Sequence, residues 1–167
     1  MNIFLVDKDP VVAAQALPDA HIRKMPIETV QMLVSGLARH DITHDVLTKA
    51  GTVHKGGYKN HPSTRWCGDT RSNWLWLLAH GFALCDEFEH RYGKQHFAAT
   101  QMDTLTHFIY DMPAGPFTEP WQAMPDELKG DDFVEAYRRC IRWKREQKPG
   151  VFIYAKDWTR KPDWIYD

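Results

Sequence analysis

The chain is poor in cysteine, and none of its cysteines is paired. Cys67, Cys85 and Cys140 are odd in number and widely separated, which excludes a disulfide framework and a Cys-x-x-Cys zinc site and leaves three reduced, buried thiols as the expectation. The sequence also lacks a Gly-rich phosphate loop, a His-Glu-x-x-His helix and a Gly-x-Ser-x-Gly elbow, so three large enzyme classes drop out. His40 and His44 are the one pair at helical ligand spacing, but Asp41 and Thr43 between them read as a helix end. Neither a metal nor a cofactor is expected. No apolar run approaches the length of a membrane span, and Asn2 to Val6 meets Asp7 without a basic stretch before it. The expectation is a soluble protein of the cytoplasm, with no membrane partner.

An excess of one charge is missing as well. With 21 Lys and Arg against 22 Asp and Glu, the net charge is −1, which is not the balance of a strong nonspecific DNA binder. The charge is nevertheless polarised. Gln101 to Ala136 carries 8 acids against Lys129, and Tyr137 to Lys161 carries 9 Lys and Arg against Glu146 and Asp157. Only a local basic surface could serve a polyanion.

What is present reads as one mainly α-helical domain over residues 1–167, with four to five helices. Asp9 followed by Pro10 opens a short helix to Leu17. Asp19 caps a long helix to about Arg39, with Pro26 inside it as the place where it kinks or restarts. Asp45 to Ala50 reads as a short helical piece, and Gly51 to Lys59 as a loop leading into Lys59-Asn60-His61-Pro62-Ser63-Thr64-Arg65-Trp66. A helix from Asp69 or Thr70 stops at Gly93; another covers Gln95 to Tyr110; a Pro-rich connector follows; Asp131 or Asp132 caps a last helix to about Lys148, most of whose charges read as a solvated face. Asn2–Val6 and Val151–Tyr154 read either as short strands or as extended arms. His80, alone in mid-helix, reads as a hydrogen-bonded core residue.

The long helix carries an unusual pattern. His21, Lys24, Glu28, Gln31 and Ser35 fall three or four residues apart and stack on one face, while Ile22, Met25, Ile27, Val30, Met32, Leu33, Val34 and Leu37 fill the flanks. A narrow polar line on a mostly apolar helix must face a cleft or a satisfied buried network. Glu28 would be a general acid if desolvated, and an anionic stabiliser or base if paired with Lys24 or Arg23. Lys24, if buried beside Arg23, would gain nucleophilic amine character. Amine plus carboxylate is the pairing that Schiff-base chemistry at a sugar carbon requires; a functionless Lys24–Glu28 ion pair is the plain alternative. The loop Lys59, Asn60, His61, Arg65 and Trp66 mixes cations, an imidazole and an aromatic plane, which suits phosphate contact with base stacking or a loop anchored by Trp66 in the core. The tail, with Trp158, Arg160 and Trp164, suits either nucleic acid or a terminus pinned by its tryptophans.

The elements Asn-Ile-Phe-x-x-Asp-x-Asp-Pro, Asp-x-His-x-x-Lys-Met-x-x-Glu, Asn-His-Pro-x-Thr-x-Trp and Arg-Tyr-Gly-Lys resemble uncharacterised phage-encoded proteins and, more distantly, the phage pyrimidine-dimer DNA glycosylases of the endonuclease V type. The resemblance implies a compact, mainly helical, metal-independent enzyme that excises a damaged pyrimidine and nicks the abasic site, working in the host cytoplasm if phage-encoded. It places the essential carboxylate on Glu28, with Asp19 and His21 as the matched pair, and the Gly-Tyr-x-x-His-Pro loop on Gly57 to Pro62. That family attacks the sugar with an exposed α-amino group. Here residue 2 is Asn, so Met1 is expected to be retained and the amine to be that of Met1 or of Lys24. Asp19, Arg23, Lys59, Asn60, His61, Arg65, Trp66, Trp158, Arg160 and Trp164 are the expected DNA or nucleotide contacts. Two other readings stay open: an enzyme acting on free or modified nucleotides, and a phage protein without enzymatic activity that binds a host partner.

Overall fold

A computed structural model describes residues 2–166 and shows six α-helices in the order α1 (Pro10–Gln15), α2 (Asp19–Arg39), α3 (Pro62–Asp69), α4 (Arg71–Tyr92), α5 (Ala98–Leu105) and α6 (Phe133–Gln147). No strand occurs among the described residues; there is one isolated antiparallel bridge, between Leu47 and Val53. The two long helices α2 and α4 lie against each other at the centre, with α1 on α4, α3 on α2 and α5 against both.

Local chemistry explains where these helices begin and end. Asp9 accepts from the backbone N–H groups of Val11 and Val12, with Pro10 in the first helical position. Thr70 caps α4 at Asn73, Gly93 ends it at φ 66°, and Asp132 caps α6 at Val134 and Glu135. The α2 helix is unbroken through the buried Pro26. The proline removes one backbone donor, and burial of Met25, Thr29 and Val30 on either side of it holds the helix together. Its cap is Pro18 and not Asp19, whose carboxylate turns inward to Arg91.

Three further expectations change. Asp45 to Ala50 is a turn: the Thr48 and Thr52 hydroxyls bond each other at 2.9 Å and Gly51 sits at φ 78°, local bonds that outcompete so short a helix. The segment expected as a loop through Trp66 instead contains α3, opened by His61, whose Nδ1 accepts from the Ser63 N–H at 3.2 Å, and by Pro62. The helix expected from Gln95 to Tyr110 is α only to Leu105 and tightens into a 3₁₀ turn over Thr106–Asp111.

The core joins all of these. Ile3 and Leu5 from the N-terminal arm, Leu17 from the turn after α1, Met25, Leu33 and Leu37 from α2, and Trp66, Trp74 and Leu77 are fully buried. Gly81 marks where α2, α4 and α5 meet: a Cβ there would lie 2.5 Å from Met102 and 2.9 Å from Thr29, so a larger residue would push the helices apart. The three cysteines are free and buried. His80 is a core residue, its Nδ1 2.9 Å from the Pro10 carbonyl and its ring stacked on Trp76.

Candidate active site

The polar line of α2 divides between two clefts. His21, Lys24 and Glu28 line a cleft of about 460 Å³. At the other end Ser35 bonds the Gly56–Gly57 loop, donating to the Gly57 carbonyl at 3.0 Å and accepting from its N–H at 2.8 Å. Ser35 also lines a second cleft of about 510 Å³ with Arg39, Lys59, Asn60 and Arg65. Gly56, at φ 70°, is required there because a Cβ would collide with the Ser35 hydroxyl.

In the first cleft Lys24 Nζ stands 3.0 Å from Glu28 Oε1; the lysine is 59% exposed and the carboxylate 16%. Lys24 is therefore not buried beside Arg23, whose side chain is exposed and acts electrostatically on Tyr92. The N-terminal arm forms the opposite lip. Asn2 is buried and lines the cleft. Its amide donates to the Ala123 carbonyl at 2.9 Å, and its Oδ1 accepts from the N–H groups of Ile3 at 2.7 Å and Phe4 at 3.2 Å. This clamp holds Phe4 at φ 47°, a region that bulky residues seldom occupy. Met1, the other expected source of the amine, lies outside the described residues.

His21 sits at the back, its ring edge-on to Phe4 at 4.9 Å and tilted against Phe152 at 5.0 Å, with Nδ1 buried and without a hydrogen-bond partner among the described residues. Burial, reinforced by the Lys24 and Lys144 ammonium groups, lowers its pKa to about 4. The imidazole is neutral at pH 7. His80 is likewise lowered to about 4, by burial opposed by its bond to Pro10. Both groups take up a proton more readily in the unfolded chain, near the ordinary 6.5, than in the fold. Their stabilisation is therefore complete above pH 6.5 and is lost as pH falls towards 4. Unfolding free energies from urea titrations at pH 7 and pH 5 should differ by about 2 kcal/mol per histidine, and the difference should shrink in His21→Asn.

The remaining wall went unrecognised in the sequence. Trp143, Lys144 and Gln147 of α6, with Lys148, Val151 and Phe152 after it, complete the cleft. The signal was a Trp-Lys pair recurring with Gln-Lys one turn later on a single face of α6, obscured because the helix is charged all round. The solvated face expected there is largely occupied. Arg138 donates to the Val6 carbonyl, Arg142 to that of Trp164 and Arg145 to that of Ile165.

Several expected contacts lie elsewhere. Asp19 is buried behind α2, accepting from Arg91 at 3.0 Å and from the Lys156 N–H at 3.0 Å. Trp66 has no exposed surface, and its indole donates to the Thr118 carbonyl; it packs the core. His61 caps α3; burial lowers its pKa while the Glu28 carboxylate opposes the shift. Lys59, Asn60 and Arg65 share the second cleft, the Arg65 guanidinium lying 5.1 Å over the Trp121 ring. In the tail, Trp158 is 79% exposed, Arg160 bonds Glu87 at 3.1 Å, and Trp164 lies beneath Arg138. None of the three lines the Glu28 cleft.

The first cleft thus combines an amine, a carboxylate and aromatic walls, an arrangement suited to proton transfer at a stacked ring substrate. No curated protein and no solved structure matches the chain. A sequence model of the pyrimidine dimer DNA glycosylases matches residues 1–100, the part that supplies Asn2, Phe4, His21, Lys24 and Glu28. The match spans more than half of the chain, which belongs to the pyrimidine dimer DNA glycosylase family.

Proposed function

We propose that the protein excises a pyrimidine from DNA by amine chemistry in the cleft of Glu28 and then cleaves the strand at the abasic site. The observation that carries this reading is the pairing of Lys24 Nζ with Glu28 at 3.0 Å in a cleft whose other lip is the N-terminal arm. An amine nitrogen attacks C1′, the bond from C1′ to the base nitrogen breaks, and the base leaves with that electron pair and a proton. Opening of the sugar ring yields an iminium at C1′. Loss of the C2′ proton then expels the 3′ phosphate, and water releases the amine. Glu28 takes one proton from the ammonium as it becomes the free amine and passes it to the departing base, takes the second from the nitrogen once that is bonded to C1′ and returns it to the ring oxygen, then accepts the C2′ proton, and it faces the cation that develops. The amine is that of Lys24 or an α-amino group on the arm that Asn2 clamps. Neutral His21 orients groups at the back and is not a proton donor at pH 7.

Phosphates on one side of the target strand would meet Lys59, Asn60 and Arg65. Ser35 stands seven residues along α2 from Glu28, about 10 Å at the helical rise, a span of about three base steps. The chain as a whole would fold and act as one domain. Borohydride trapping tests the reading: on duplex DNA with an abasic site, reduction should fix a covalent adduct that peptide mapping places on Lys24 or on the arm. Excision without any adduct would remove the Schiff base and leave a simple glycosylase. The net charge of −1 favours a second reading, action on free or modified nucleotides. Its mark would be activity nearly independent of salt, whereas an enzyme making several phosphate contacts loses orders of magnitude in affinity between 50 and 200 mM salt.

A further inference from the structure

The cleft is built from two parts of the chain with different standing. Asn2, Phe4, His21, Lys24 and Glu28 fall within the residues matched by the family, whereas Trp143, Lys144, Gln147 and Lys148 lie beyond residue 100. The reacting pair thus lies inside the matched segment, and the wall facing it lies outside that segment. The α6 helix presents two faces. Phe133, Ala136, Tyr137, Cys140 and Ile141 enter the core. Arg138, Arg142 and Arg145 are committed to backbone carbonyls of the N-terminal arm and the tail. Past the core contacts, the same side of the helix continues as positions 143, 144 and 147, with 148 just after its end, and opens onto the cleft. Among the described residues, the side chains of Gln147 and Lys148 make no hydrogen bond or ion pair, although both line the cleft. By contrast, the other amide there, that of Asn2, uses both its nitrogen and its oxygen to hold the arm.

We infer that this face of α6 selects the substrate: Trp143 is the platform on which the extruded base stacks, Gln147 reads the base edge, and Lys144 and Lys148 hold the adjoining phosphates. An indole face accepts any base by stacking, and a free amide can both donate to and accept from a pyrimidine edge. The two ammonium groups stand across the cleft from Lys24, where they concentrate positive charge on a chain that has none overall. The inference rests on the proposed excision reaction and separates recognition from chemistry: the α6 face acts on the base, and the Lys24–Glu28 side acts on the sugar.

An abasic site has no base for Trp143 or Gln147 to hold, and that provides the test. Trp143→Ala, Trp143→Phe and Gln147→Ala are compared with the unaltered protein on two duplexes, one with a thymine dimer and one with an abasic site. Stacking of about 1–3 kcal/mol per base corresponds to a loss of roughly 5- to 150-fold in dimer excision for Trp143→Ala. Gln147→Ala should also lose dimer excision, Trp143→Phe should restore most of it, and borohydride trapping on the abasic duplex should stay within about twofold in all three. Lys144→Ala and Lys148→Ala should each lower the salt slope of binding to both duplexes by about one. Equal losses on both substrates, or dimer excision unchanged in Trp143→Ala and Gln147→Ala, would overturn the inference while leaving the excision reading in place. Inactivity of the unaltered protein on both duplexes would overturn the excision reading and the inference with it.

Discussion

Replacing Glu28 with Gln should lower single-turnover excision and adduct formation by about 10²- to 10⁴-fold, the range for loss of a positioned acid–base group, while leaving the fold nearly as stable as before. The amide keeps the size and one acceptor of the carboxylate but can neither take a proton from the attacking amine nor face a developing cation. Stability should change little because glutamine keeps the side chain's volume and its hydrogen-bonding capacity, and the charge removed faces a Lys24 ammonium that is largely exposed and so is screened by water. Two measurements are needed together: excision under single-turnover conditions, and the thermal midpoint. Full activity in Glu28→Gln would exclude the carboxylate from the chemistry. A collapse of the midpoint alongside activity would instead make Glu28 a structural residue, as in the plain ion-pair reading of its spacing.

The largest effect on stability is expected at Arg91, a buried arginine. Its guanidinium donates to Glu87 at 2.8 Å, to Asp19 at 3.0 Å, and to the carbonyls of Leu17 and Gln15, both at 2.9 Å. The Arg91 side chain has no exposure, and those of Asp19 and Glu87 have 8% and 2%. Arg91→Met would leave two buried carboxylates facing each other across the lost cation, partly compensated at Glu87 by Arg160. Such uncompensated charge costs about 3–5 kcal/mol, readable as a lowered urea midpoint. Arg91→Lys should recover only part of it, since an ammonium cannot reach all four acceptors. The site should suffer too. Asp19 begins the helix that carries His21, Lys24 and Glu28, and it bonds Lys156 and the Ile153 carbonyl, so the network fixes Phe152 against that helix. Unchanged stability in Arg91→Met would show that the network adds nothing to the fold.

The helical class and most helix ends were legible because caps and breakers act locally: Asp9-Pro10, Thr70, Gly93 and Asp132 work through bonds to residues within a few positions of themselves. The α3 helix was missed because its cap is His61, an uncommon cap, and because Pro62 reads as a loop residue unless a helix is known to follow it. Of the polar line, spacing alone brought His21, Lys24 and Glu28 to one face, and they do share a cleft. Spacing could not tell which polar residue is turned inward. Asp19 is the first residue of the same helix yet points away from the cleft, because Arg91, 72 positions later, takes its carboxylate.

By itself, then, the sequence determined most of the helices and their limits, the polar face of α2 and the family, all of which depend on neighbours along the chain or on short motifs. Only the tertiary structure decided what that face looks at. The N-terminal arm and α6 are more than a hundred residues apart, and they close on α2 through contacts such as Asn2 with Ala123 and Arg138 with Val6. No periodicity encodes such pairings. They arise when distant segments must bury apolar surface together and satisfy each other's backbone groups, and that is what placed Trp143, Lys144 and Gln147 opposite Glu28.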